Sequence, residues 1–187
     1  MKRVFIAIDV ELSPDISRVY EEFRSGLNNE QIKWVKPDNF HITLAFIGDL
    51  NDTQIASLSD KLRKVAALWK PFVIEPKGVG VFKSIENPRV LWFGLKESTP
   101  LSNLKYQVDS LLMEEKLPVD SKEFRPHLTF GRIKGKKCIS GLEELLDKFE
   151  SIEFTPVEIN KFVFYQSILR PSGPVYKPLE IFAFKPG

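Results

Sequence analysis

One short pattern occurs twice in this chain. Asn39-Phe40-His41-Ile42-Thr43-Leu44-Ala45-Phe46 and Arg125-Pro126-His127-Leu128-Thr129-Phe130-Gly131-Arg132 both read His, apolar, Thr, apolar. The copies lie nearly half of the 187-residue chain apart and use every histidine in the protein. Random placement of Thr would set one two residues after both histidines with a probability of about 0.0007. An internal duplication, its copies related by an approximate two-fold axis, is the simple explanation. Such a chain has to set two matching strands in matching surroundings.

Side chains two residues apart on a strand share a face. His41 then lies beside Thr43, and His127 beside Thr129, with Ile42, Leu44, Leu128 and Phe130 facing the other way. Each copy predicts one face of imidazole plus hydroxyl and one apolar face for packing. A lone His-Thr pair is commonly a packing detail, whereas two matched pairs facing one groove point to a site. The copies differ at one position: Arg132 follows His127 where Phe46 follows His41. Strict alternation turns residue 132 away from His127. Either a bulge at Gly131 re-aims the chain, or Arg132 reaches around the strand end.

The remaining pattern mixes helices with hairpin-connected strands. Residues 4–10 alternate as a strand, and Ser13-Pro14 opens a helix with Ile16, Val19, Tyr20, Phe23 and Leu27 on one face. Short strands are expected at 32–35 and 40–47. Asp52 is expected to cap a second helix that buries Ile55, Leu58, Leu62, Val65 and Leu68. Strands follow at 72–83 and 89–96, and Thr99-Pro100 opens a third helix that Pro118 stops. A strand at 127–133, a short helix at 141–149 and strands at 157–168 and 176–184 complete the chain. This is not the strand–helix alternation of a doubly wound sheet, and the fold class is α+β.

Composition bounds the chemistry. With 27 Lys+Arg against 25 Asp+Glu, the net charge of +2 makes any nucleic-acid contact local. One cysteine, Cys138, forms neither an internal disulfide nor a thiolate zinc cluster. No His-Glu-x-x-His helix is present, and the expected metal content is none. The apolar run from Val4 stops at Asp9, too short for a signal core, and no stretch is long enough to span a bilayer. A cytoplasmic monomer without membrane contact is expected.

At these residues the sequence resembles the two-histidine (2H) phosphoesterases, and more narrowly the RNA 2′,3′-cyclic phosphodiesterases, also described as 2′-5′ RNA ligases. Lys33 to Gly48 is similar to the first motif and its approach, and Phe124 to Arg132 to the second. Arg3 to Ile8 is similar to the family's opening strand, and Phe164-Tyr165-Gln166-Ser167 to Tyr176 to its C-terminal tail. The resemblance covers nearly the whole chain. It implies a bilobal, pseudo-two-fold fold with antiparallel sheets around a central groove and helices outside. Residues 1–187 would form one domain of two intertwined lobes, with motifs at 41–44 and 127–130. It implies metal-independent, cofactor-free opening of RNA-terminal 2′,3′-cyclic phosphate to 2′-phosphate, with reversible 2′-5′ joining in some members.

Opening a cyclic phosphate with water needs a base, an acid and donors to the phosphoryl oxygens. Two near-neutral imidazoles supply the first two, and the hydroxyls of Thr43 and Thr129 the third. A guanidinium close to His127 favours its neutral form. His127 is therefore read as general base and His41 as general acid, as the resemblance also suggests. Arg132 is a candidate phosphate ligand. Lys134, Lys136, Lys137 and Trp34 are candidates for holding RNA beside the motifs. The rival readings are a non-catalytic RNA-binding module, and a related enzyme that trims RNA 3′ ends or opens another cyclic nucleotide.

Overall fold

The computed structural model describes residues 1–135, 138–171 and 173–186. In chain order its elements are β1 (Lys2–Asp9), α1 (Pro14–Gly26), β2 (Ile32–Trp34), β3 (His41–Leu50), α2 (Asp52–Ala66), β4 (Phe72–Ile74) and β5 (Pro76–Lys83). There follow β6 (Pro88–Leu95), α3 (Thr99–Glu114), β7 (Leu128–Ile133), α4 (Leu142–Phe149), β8 (Val157–Ile159), β9 (Lys161–Arg170) and β10 (Gly173–Ala183). A 3-10 turn, Pro37–Asn39, precedes the first histidine.

Two four-stranded antiparallel sheets carry the molecule. Their orders are β10-β9-β1-β3 and β2-β7-β6-β5. The duplication is visible in these orders. β1, α1, β3, α2, β4 and β5 recur as β6, α3, β7, α4, β8 and β9, so the triplet β3-β1-β9 matches β7-β6-β5. Each half hands its last strand to the other half's sheet. The repeated strands β4 and β8 pair with each other, Val73 opposite Glu158, as elements on a two-fold axis do. Helices α1 and α3 are exchanged as well. Tyr20 and Phe23 of α1 pack on Phe130 of the second sheet, while α3 packs against β3 of the first. The two halves therefore share one apolar cluster, from Ile6 and Leu44 to Leu91 and Phe130. Burying a side chain such as Phe130 contributes about 1.5–3 kcal/mol.

Several local expectations shift by a residue. The cap of α2 is Asn51, not Asp52: its side chain accepts from Gln54 N–H at 2.8 Å, and Gln54 accepts from Asn51 N–H at 3.0 Å. This reciprocal pair satisfies two free amides, and Asp52 becomes the first helical residue, where its charge suits the positive end. Ser98, not Thr99, caps α3 by accepting from Leu101 N–H. Leu68 lies beyond the end of α2 and is 76 % exposed rather than buried.

Candidate active site

β3 and the segment from His127 through β7 repeat one another in burial, residue for residue. His and Thr are half-buried, the residue between them is buried, two consecutive buried residues follow, and then an exposed one. The double buried step is a bulge in both strands. Along β1, Ala7 faces Thr43 and the next partner pair is Ile6 with Ala45, so Leu44 is the extra residue. Along β6, Trp92 faces Thr129 and Leu91 faces Gly131, so Phe130 is the extra residue. A bulge resets the alternation. It returns Arg132 to the face of His127 and Thr129, and Phe46 to the face of His41 and Thr43. Arg132 reaches the groove by this bulge and not around the strand end.

Each imidazole is held by its own strand entry. The Nδ1–H of His41 donates to the Asn39 carbonyl at 2.7 Å, and that of His127 to the Arg125 carbonyl at 2.8 Å. A carbonyl only accepts, so both rings carry the Nδ1 proton and leave Nε2 for the groove. Aromatic rings hold the imidazole planes. Phe5 and Tyr176 stand 5.5 and 5.3 Å from His41, and Phe82 stands edge-on to His127 at 4.7 Å.

Burial lowers both histidines from their ordinary value, which favours neutral imidazole. The Asn39 carbonyl and Asp9 oppose this at His41, and the Arg125 carbonyl opposes it at His127. Arg132 pushes both downward and also acts on Tyr176, so its guanidinium lies within electrostatic reach of both rings. Sequence spacing ties Arg132 to His127 alone; the charge that separates the two rings is instead Asp9. The Tyr165 hydroxyl donates to Asp9 Oδ1 at 2.6 Å, and burial together with that carboxylate pushes the Tyr165 phenol far upward.

A cavity of about 510 Å³ joins the halves: Thr43 and Phe46 line it from β3, with Phe82, His127, Phe124 and Lys105 opposite. Lys105 is buried, paired with Asp109 and poised over the Phe124 ring at 5.6 Å. His41 opens onto a hollow of about 240 Å³ shared with Asp9, Asn39, Tyr165 and Tyr176. Trp34 does not join them. Its register partner is Gly131, which turns it to the helix-covered face, where it stacks on Phe130 with an interplanar angle of 8°. Its neighbour Lys33 faces Arg132 instead and adds a second cation to the groove face. Lys134 is exposed just past β7, and Lys136 and Lys137 lie outside the described residues. Among the described residues, no three His, Cys, Asp or Glu side chains are placed to hold a metal ion, and no helix is long and apolar enough to cross a membrane.

Phe82, Lys105 and Asp9 lie in no motif that marks them as groove residues, whereas Phe124 and Tyr165 belong to stretches that resemble the family's. Strand register places Phe82 and Asp9, and the packing of α3 and of the loop before β7 places Lys105 and Phe124; no local pattern carries either. Outside the motifs, Asp9 alone left a signal, as the charge that ends an apolar strand in step with Phe5 and Ala7.

A two-fold groove with one His-Thr pair per half defines a two-histidine phosphoesterase, and comparison with known proteins agrees. The LigT-like phosphoesterase family model matches residues 6–92 and 94–176, and the chain belongs to that family of enzymes. The chain is 36 % identical over 182 residues to the RNA 2′,3′-cyclic phosphodiesterase of Archaeoglobus fulgidus, covering 96 % of this chain and 99 % of that one. It is also 36 % identical over 185 residues to the protein of the same name from Aquifex aeolicus, covering 97 % and 98 %. Among solved structures, a protein of Thermus thermophilus superposes with a TM-score of 0.79 at 24 % identity, over 97 % of both chains. E. coli LigT complexed with 3′-AMP superposes with a TM-score of 0.73 at 23 % identity, over 98 % of both. Both structures share the fold.

Proposed function

We propose that this protein hydrolyses RNA-terminal 2′,3′-cyclic phosphate to a 2′-phosphate, with no metal ion, and that residues 1–187 act as one bilobal unit. One observation carries the reading: both imidazoles are pinned through Nδ1 in equivalent strands, each beside a Thr, which leaves both Nε2 atoms unengaged, and His41 lies within electrostatic reach of His127 and Arg132. The names of the relatives supply the substrate class.

In the proposed reaction His127 Nε2 takes a proton from water as the water oxygen bonds to phosphorus. The bond from phosphorus to the ribose O3′ breaks, and His41 gives its Nε2 proton to that oxygen. The product is a 2′-phosphate with a free 3′-hydroxyl. Thr43 and Thr129 donate to the non-bridging oxygens as charge gathers there, and Arg132 neutralises it. Phe46, Phe82 and Phe124 offer faces for the terminal bases, while Lys33 and Lys134 steady the backbone. A 5′-hydroxyl in place of water, run through the same two proton transfers, would give 2′-5′ joining.

The test is a short RNA ending in 2′,3′-cyclic phosphate, incubated with and without EDTA. Conversion to 2′-phosphate in both samples is expected. Loss of turnover in EDTA would restore a metal mechanism, a 3′-phosphate or shortened RNA would change the substrate class, and tight binding without turnover would leave an RNA-binding module.

A further inference from the structure

The groove is symmetric in its backbone, yet hydrolysis needs one imidazole protonated and the other neutral. The strands beside each histidine show where the symmetry breaks. Phe5 faces both Phe46 and Tyr165, and Val90 faces both Arg132 and Phe82, so Tyr165 and Phe82 are equivalent positions. Asp9 faces His41 directly, and one step beyond the Phe93–Leu128 pair the same register sets Gly94 opposite His127. The first half thus has a carboxylate and a phenol where the second has glycine and phenylalanine. The second half has no room for the missing group. A Cβ on Gly94 would stand 2.6 Å from the Lys77 carbonyl oxygen and 3.2 Å from the Trp92 ring.

Around Asp9 the parts fit together. Phe5 stacks on Tyr165 at 5.2 Å with an interplanar angle of 19°, fixing the phenol that donates to Asp9 Oδ1. Asp9, Tyr165 and His41 line the same hollow.

We propose that Asp9, held by the Tyr165 hydroxyl, is the positioning residue that keeps the proton on His41 and thereby commits this histidine to the general-acid role. The second half has glycine at the matched strand position; Asp120, Glu123, Lys122 and Lys105 line the cavity of His127 without being its strand partners, and His127 is left the neutral partner. The inference rests on the two-histidine reading above and names what orients it. The other groups facing His41 are Asp38 from the 3-10 turn, Tyr176 from β10, and Arg132 and His127 from the second half. Glu11, Glu158 and Lys161 face Asp9 from a hollow on its far side. Of the acidic groups, Asp9 alone is His41's cross-strand partner.

The chain has only two histidines, so NMR titration resolves each ring without substrate. Asp9→Asn should move the His41 midpoint to lower pH and leave His127 in place. The basic limb of the kcat/KM profile should follow, each unit of movement costing about tenfold in rate on the alkaline side. Tyr165→Phe removes the hydrogen bond but keeps the charge, and should leave the His41 midpoint at or above its original position. Equal downward shifts in both variants would reduce the pair to packing and overturn the proposal. So would Asp9→Asn moving both histidines alike, or neither. The two-histidine reading fails separately, if His41→Ala and His127→Ala keep full turnover.

Discussion

His41 and His127 share their own strands almost position for position and differ in what faces them from the neighbouring strands. Ring anchoring through Nδ1, the Thr two residues on, the bulge and the burial sequence are all common to both. The differences sit at Asp9 against Gly94, at Tyr165 against Phe82, and at Phe46 against Arg132. A duplicated site begins with two identical histidines, while acid–base hydrolysis uses one of each kind. The strand that carries a histidine is constrained by the geometry both must satisfy. Charge is set on the neighbouring strands and at the position just past each bulge, and there the halves have diverged.

The largest expected effect comes from removing either histidine. His41→Ala and His127→Ala should each lower hydrolysis by about 10²- to 10⁴-fold, the usual worth of a positioned acid or base. Sulfur in place of the bridging 3′ oxygen leaves without a proton. It should restore the rate of His41→Ala and not of His127→Ala. The reverse pattern would exchange the two roles.

The bulge residues compare the halves as structures. Phe130 contacts Phe93 at 4.5 Å and Phe23 at 5.1 Å, joining α1 to the second sheet, whereas its counterpart Leu44 fills one side of the first. Phe130→Ala should cost about 3–5 kcal/mol in urea unfolding, and Leu44→Ala should fall lower in the range of about 2–5 kcal/mol. A smaller loss at Phe130 would show that the two halves do not share their core as described.

Arg132 and Phe46 occupy matched positions with unlike chemistry. Arg132→Ala should lower kcat/KM by about 10²-fold, as the loss of a donor to a developing oxyanion does. Phe46→Ala should act mainly on KM, since Phe46 is 62 % exposed and offers a ring face rather than charge. Arg132→Lys should recover only part of the loss, because an ammonium lacks the planar fork. Equal kinetic effects at the two positions would mean that the groove is used symmetrically.

The site's axis was legible in the sequence because two copies of His-x-Thr report on each other. Fold class and most element positions followed from spacing, and Ser13-Pro14, Asp52 and Thr99-Pro100 marked three helix starts to within a residue. Whatever depends on register was not legible. The alternation rule misplaced Arg132 until the extra residue at Phe130 was counted, and it gave no reason to set Trp34 against the core and Lys33 on the groove face. The exchange of β5 and β9 between sheets was hidden for the same reason. Each looks like an ordinary strand locally, and only the partner shows which sheet it joins.

The smallest expected effect is on stability, and it separates the halves again. Both folded imidazoles titrate below the ordinary value of 6.5, chiefly because burial disfavours their charged forms. Between the folded and unfolded midpoints the unfolded chain holds more protons, so stability rises with pH there. Below the folded midpoints the penalty is present in full. Tm should therefore fall as the pH is lowered from about 7.5 toward 5. Replacing both histidines with Asn should remove the histidine part of that slope. Asp9→Asn should steepen it, since His41 then loses the carboxylate that opposes its burial, and no single substitution facing His127 has the same effect. A slope unchanged by Asp9→Asn would show that the carboxylate does not reach His41, and that the halves are electrostatically as alike as their backbones.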